Sequence, residues 1–219
     1  MRKIGTFWIV GVVALLLAGC GSSDPYYYPP PPVGPGFVGI EDLPNVAVTA
    51  PLLKVSYFLP AAPNTVIAVE IFSDQPADGD IAFYPAPAPS GQYVITMGPG
   101  TVFFGIDSLA PGLPEYRAFL DFPLGSIPLN AVIVSSTLDL FVNTVSFSGV
   151  IPIFLDLVPY SPAGLVRADF DRTPLAFRTL DFFASDLGNY VLIDVTSLMQ
   201  EAQRRALADF QLRFSLNIP

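Results

Sequence analysis

Histidine is absent from this sequence of 219 residues, and Cys20 is its only cysteine. Those two gaps remove Ser-His-Asp and Cys-His nucleophile systems, His-ligated metals, Cys-clustered zinc and internal disulfides from consideration. Charge is scarce at 13%, and basic residues are scarcer still, ten against nineteen acids. Arg2 and Lys3 belong to an acid-free N-terminal segment, so a chain beginning at Cys20 carries eight basic residues against nineteen acids, a formal charge of −11. A surface of that sign repels phosphate backbones and anionic headgroups, which excludes nucleic acid as a natural partner. Tryptophan occurs once, at Trp8, and only one long apolar run is present. Apolar residues are plentiful nevertheless, at 52%, far above what a disordered chain holds. A length of this order suits one substantial domain.

The apolar run is N-terminal. Met1-Arg2-Lys3 gives a short positive start, and Ile4 to Leu17 follows without a charge. As a helix the run measures about 21 Å, against about 30 Å of hydrocarbon in a bilayer, which is short for a span and right for a secretory leader. Leu17-Ala18-Gly19-Cys20 closes it. These four residues resemble the bacterial lipobox. The resemblance implies a signal peptide over 1–19, cleavage before Cys20, and lipid (diacylglycerol on the thiol, palmitate-type acylation of the new amine) on that residue. Several acyl chains, at about 0.8 kcal/mol per buried CH₂, anchor stably where one does not. The other reading of the same residues is an uncleaved signal anchor. Gly21 stands where aspartate would signal inner-membrane retention, so the expected destination is the outer membrane, with either face open.

Residues 20–36 then form a tether. Tyr26-Tyr27-Tyr28 precedes Pro29-Pro30-Pro31-Pro32, and proline fixes φ and lacks an N–H, favouring an extended polyproline II spacer. Such a spacer reaches on the order of 50 Å. A Pro-rich ligand for an aromatic groove is the alternative.

From residue 37 to 219 one domain is expected. The two-residue period of β-strands dominates, broken by Pro and Gly. Over Asp209 to Asn217, Phe210, Leu212, Phe214 and Leu216 share one face, and Gln211, Arg213, Ser215 and Asn217 the other. Over Val132 to Val142 the spacing puts Val134, Leu138 and Leu140 on one side. Further strands are expected at 52–59, 65–72, 81–84, 93–97, 102–106, 117–122, 151–158, 176–182 and 190–195. Many short strands with turn residues between them predict an all-β, jelly-roll-like antiparallel β-sandwich. One short helix, Ser197 to Leu207, is expected before the last strand, with Ser197 and Gln200 at capping-box spacing.

Arg117-Ala-Phe-Leu-Asp121-Phe122-Pro-Leu, Ile127-Pro128 and the run Ala131 to Leu140 resemble the central stretch of DNRLRE-type domains. Val191-Leu-Ile-Asp194-Val195-Thr196 and the strand Phe210 to Leu216 resemble that family's "DVT" element and closing strand. The resemblance covers roughly residues 71–216. It implies a jelly roll similar to carbohydrate-binding modules, extracellular and non-catalytic. Tryptophans usual in that family's middle region are missing around Tyr160 to Leu165.

The candidate sites follow from this. Sugars are held on flat rings, and Tyr84, Tyr93, Tyr116, Tyr160 and Tyr190 are the candidate platforms, with half-buried core positions as the other reading. Asp74, Asp78 and Asp80 crowd one glycine-containing loop with the hard oxygen donors that calcium takes, although any solvated turn recruits the same residues. No other cofactor is expected. Asp169 and Asp171 are read as neighbours on one strand face, an ion-pair cluster with Arg167 and Arg172. Asp194 and Thr196 are read as caps for the helix. The expected function is a non-enzymatic, membrane-anchored binding or surface-assembly lipoprotein of the envelope, recognising a glycan or an envelope protein. A carboxylate-dependent polysaccharide hydrolase and a purely structural envelope lipoprotein are the alternatives.

Overall fold

A computed structural model describes residues 36–42, 50–85, 91–161 and 163–217. The expected leader, Cys20 and all of the tether but Gly36 lie outside the described residues. No helix among the described residues is long and apolar enough to cross a membrane.

Twelve strands form a curled, antiparallel, sandwich-like sheet, as the alternation predicts. In chain order they are β1 (Phe37–Asp42), β2 (Leu52–Leu59), β3 (Ala62–Phe72), β4 (Gly79–Tyr84), β5 (Gln92–Met97), β6 (Gly100–Ile106), β7 (Glu115–Pro123), β8 (Val132–Val145), β9 (Val150–Leu157), β10 (Ala176–Phe183), β11 (Tyr190–Asp194) and β12 (Asp209–Leu216). Hydrogen bonding runs β10-β9-β12-β7-β6-β1-β8-β2-β3, with β11 also on β8, and with β4 joining β5 to β7. Strand β8 carries the path around the curl. Its first half, Val132 to Asp139, pairs with β2, while Val142 to Val145 pairs with β1. The main core fills the space this encloses. Val38 and Ile40 of β1, Phe104 of β6, Leu120 and Phe122 of β7, Leu138 and Leu140 of β8, and Phe210, Leu212 and Phe214 of β12 are all 0% exposed. Phe104 stacks on Phe214 with centroids 5.2 Å apart.

Three expectations are corrected by packing. First, the alternation of β12 does not separate a buried face from an open one: Gln211, Arg213 and Ser215 are buried as well as the apolar residues. The segment 158–175 folds over that side, where Ile81, Phe119, Tyr160, Leu165 and Phe170 make a second, smaller core. Second, Val134 is exposed and Ile133 takes the interior place. The register between β2 and β8 slips between Ser56 and Tyr57, so the inward set is Ile133, then Leu138, Leu140 and Val142. A bulge reverses alternation in just this way. Third, Asp169 is not on a strand. Arg167–Asp169 is a 3₁₀ turn, Asp169 is 1% exposed, and its carboxylate takes the Val166 N–H at 2.8 Å and Arg172 Nε at 2.8 Å, while Asp171 lies outside on Arg117.

The expected helix is α1 (Thr196–Arg204), starting one residue earlier and ending three earlier. Ser197 and Gln200 form no capping box, because Gln200 donates to the Ile133 carbonyl at 3.2 Å. Asp194 Oδ1 instead accepts the Thr196 N–H at 3.0 Å, and Thr196 Oγ1 accepts the Ser136 N–H at 2.9 Å. The helix is thereby tied at its start to β8.

Candidate functional site

Most large side chains of the barrel-like curl point inward, so aromatic rings left on the outside are informative. One group of them lines a hollow of about 210 Å³ bounded by Phe37 of β1, Phe103 of β6, Asp107, Tyr116 of β7 and Thr144 of β8. Alternation builds it: Val38 and Ile40 of β1 and Val102 and Phe104 of β6 go to the core, which turns Phe37 and Phe103 outward. Gly39 is required beneath them. A Cβ there would stand 2.7 Å from Thr101 Cγ2, 2.9 Å from Asn143 Oδ1 and 2.9 Å from Phe103 Cε1. The missing side chain lets the Phe103 ring lie across β1.

The rings meet edge to face. Phe37 and Phe103 are 5.7 Å apart at 73°, and Phe103 and Tyr116 are 6.0 Å apart at 61°. Polar groups adjoin them. Asn143 donates to Thr101 Oγ1 at 2.7 Å and to the Glu41 carboxylate, and Thr144 Oγ1 donates to Asn143 Oδ1 at 3.0 Å. Asp107 holds its own loop, its Oδ1 accepting the N–H groups of Leu109 at 2.9 Å and Ala110 at 3.1 Å. Burial, and then a hydrogen bond with Tyr84, push the Tyr116 phenol above its ordinary range. Tyr116 therefore stays neutral, as donor and acceptor, at any physiological pH. A half-open hollow with flat rings, a neutral phenol and a carboxylate suits a ligand with C–H faces and hydroxyls.

The five expected tyrosines separate in space. Tyr116 lines this hollow, and Tyr84 meets it through a side-chain hydrogen bond without lining the hollow itself. Tyr93 is half-buried against Phe83 and Phe170, with the Arg167 guanidinium 4.5 Å from its centroid. Tyr160 is 6% exposed, edge-on to Phe119, and offers no face to a ligand. Tyr190 is exposed and meets Phe141 edge to face, with centroids 5.2 Å apart. Phe37 and Phe103 carry no sequence signal of their own. Only their placement opposite core residues of the same strands reveals them.

The three loop aspartates also separate. Asp74 is exposed, and its carbonyl closes the turn by accepting the Ala77 N–H at 2.7 Å. Asp80 is buried and accepts the Phe103 N–H at 3.2 Å, and burial pushes its carboxyl up to about 6. Asp78 is buried elsewhere, beside Asp42. Among the described residues no three or more acid, histidine or cysteine side chains are drawn together to hold a metal ion by themselves.

A second hollow, of about 370 Å³, lies among Arg117, Phe154, Phe177 and Arg213. Its arginines are already occupied. Arg213 grips Asp156 through Nε at 3.0 Å and Nη2 at 2.6 Å, and its Nη1 reaches the carbonyls of Asp169, Phe170 and Arg172 at 3.1, 2.8 and 2.9 Å. Arg117 pairs with Glu115 and Asp171 and lies 3.8 Å over the Phe170 ring. Both side chains fasten the covering segment to the sheet.

No protein-family model matches this chain, and no curated protein or solved structure matches it either.

Proposed function

We propose that this chain is a non-catalytic glycan-binding lipoprotein of the bacterial envelope, anchored by lipid on Cys20 and raised from the membrane by its proline-rich segment. The observation that carries the binding half is the hollow of Phe37, Phe103 and Tyr116, where half-buried rings stand beside Thr144 and Asp107. Its volume is below the ~300–1,000 Å³ of sites that enclose a small molecule, so it takes one sugar ring or a chain end on its surface. The absence of histidine and the single cysteine support the non-catalytic half. The lipobox residues Leu17 to Cys20 support the anchor.

A glycan array probed with the chain, followed by titration of any hit against Tyr116→Ala and Phe103→Ala, tests the binding. Loss of one stacked ring is expected to weaken a true ligand by about 5- to 10-fold, from ~1–1.5 kcal/mol per aromatic contact. Tyr116→Phe keeps the ring and is expected to cost less. An array silent for the intact chain, together with capture of one defined envelope protein, transfers the reading to a protein partner.

A further inference from the structure

The hollow walled by Phe37, Phe103 and Tyr116 selects its ligand by charge as well as by shape. Phe103 meets Phe37 at 73° and Tyr116 at 61°, with centroids 5.7 and 6.0 Å apart. Rings turned in this way line a corner, where one compact group touches more than one of them at once. The face of an aromatic ring is the negative pole of its quadrupole, and a cation within about 6 Å of a centroid is attracted to it. At about 210 Å³ the space is small for a whole ligand and large enough for one substituted ammonium group.

The polar groups around the rings are acceptors. Asp107 lines the hollow, its Oδ1 taken by the Leu109 and Ala110 N–H groups of its own loop, and no donor among the described residues meets its Oδ2. The Thr144 hydroxyl gives its hydrogen to Asn143 Oδ1, so its oxygen is left to accept. Glu41 shares the outward face of β1 with Phe37, and its partner is the neutral amide of Asn143. The Tyr116 phenol is engaged with Tyr84. No basic side chain balances the carboxylates. Arg117, next to Tyr116 in sequence, lines the other hollow and pairs with Glu115 and Asp171. The other seven lysines and arginines among the described residues lie in ion pairs elsewhere or, for Arg167, on Tyr93. The sequence as a whole holds nineteen acids against ten bases, a field that draws cations in and turns anions away.

We propose that this hollow takes a positively charged nitrogen of its ligand. The inference rests on the glycan reading of the site and narrows it to amino sugars whose amine is free. The carbons beside the ammonium group lie against the ring faces, its N–H groups meet Asp107 Oδ2 and the Thr144 oxygen, and the rest of the sugar stays on the open side. An N-acetyl group takes the charge away. A uronic acid or a phosphate sets like charges together with no lysine or arginine to offset them.

Calorimetric titration of the chain with the β-linked disaccharides of glucosamine, N-acetylglucosamine and glucose tests this, with tetramethylammonium as a cation that carries no sugar. The glucosamine disaccharide is expected to bind about 10-fold tighter than either of the others, and less tightly as salt is added. Asp107→Asn keeps an oxygen for the N–H groups of its loop and is expected to weaken that binding by about 3- to 5-fold. Phe103→Leu keeps apolar volume without a ring and is expected to weaken it by about 3- to 10-fold. Glu70→Gln, on the edge strand β3, is expected to leave it unchanged, which separates the hollow from general attraction to an acidic surface. A disaccharide of N-acetylglucosamine or glucose held as tightly as the amine overturns the inference and leaves the glycan reading standing. So does a Glu70→Gln chain weakened as much as Asp107→Asn. Tetramethylammonium bound with no disaccharide bound keeps the charged site and removes the glycan reading. Binding of neither the cation nor any disaccharide overturns both.

Discussion

Replacing Arg213 by methionine is the most demanding perturbation of the covering segment. Both Arg213 and Asp156 side chains are 6% exposed, so the substitution leaves a carboxylate buried without a counter-charge. Removing one partner of a buried pair costs about 3–5 kcal/mol. Three carbonyls, those of Asp169, Phe170 and Arg172, lose their charged donor at the same time. Hydrogen bonds to charged groups contribute ~1.5–3 kcal/mol each when buried, although water regains part of this as the segment lifts. A net loss of about 4 kcal/mol is expected, a large share of the ~5–15 kcal/mol that holds a domain together. Arg213→Lys keeps the charge but not the planar fork, so it also loses contacts. Urea unfolding followed by circular dichroism measures each value. Arg213→Met with Asp156→Leu removes the stranded charge and is expected to recover roughly half of the loss. Limited proteolysis of Arg213→Met is expected to cut first between residues 161 and 175. A cost below about 1 kcal/mol for Arg213→Met, or a double variant no better than the single, would refute this account of the segment.

Phe214→Ala removes a ring that is 0% exposed and stacked on Phe104, and is expected to cost about 3–5 kcal/mol in the same urea assay. Gly79→Ala puts a methyl into the Thr96 carbonyl across the β4–β5 ladder, and slowed-exchange amides of that hairpin are expected to become unprotected. Asp80 binds its proton more tightly folded than unfolded, because burial raises its carboxyl from 3.8 to about 6. Its contribution is therefore full below pH ~4 and lost as pH rises through about 6, a fall near 3 kcal/mol at ~1.36 kcal/mol for each tenfold difference in proton affinity. Melting of the chain beside Asp80→Asn across that range checks it, and a difference between the two that does not change with pH counts against the burial argument. Cys20→Ala is expected to move the chain from the membrane pellet to the soluble fraction.

Strands whose two faces meet different surroundings were legible in the sequence, and β2 is expected and found at the same residues, 52–59. Strand β1 was not, because its six residues include Gly39 and end in Glu41-Asp42, residue types that strands disfavour. The glycine is there for Phe103, a contact that no local pattern contains. Polar residues at alternate positions of β12 mark a second face, but alternation cannot register that another segment lies over it. Aspartate in a turn is similarly ordinary, so Asp78 gave no sign of being fully buried. Tyr116 was among the expected platforms, whereas its neighbours Phe37 and Phe103 become visible only once the curl decides which side is out.

The shared strand β8 bears on how the molecule comes apart. Its residues bond to β1, β2 and β11, and the start of α1 is fastened to Ser136 on it. A molecule made of two separate leaves could open along the line between them and expose its greasy middle. Here that line is crossed by covalent chain, so parting the leaves means breaking β8's own ladders. Amides of β8 should thus be among the last to exchange with deuterium, released only in one concerted collapse of the whole structure.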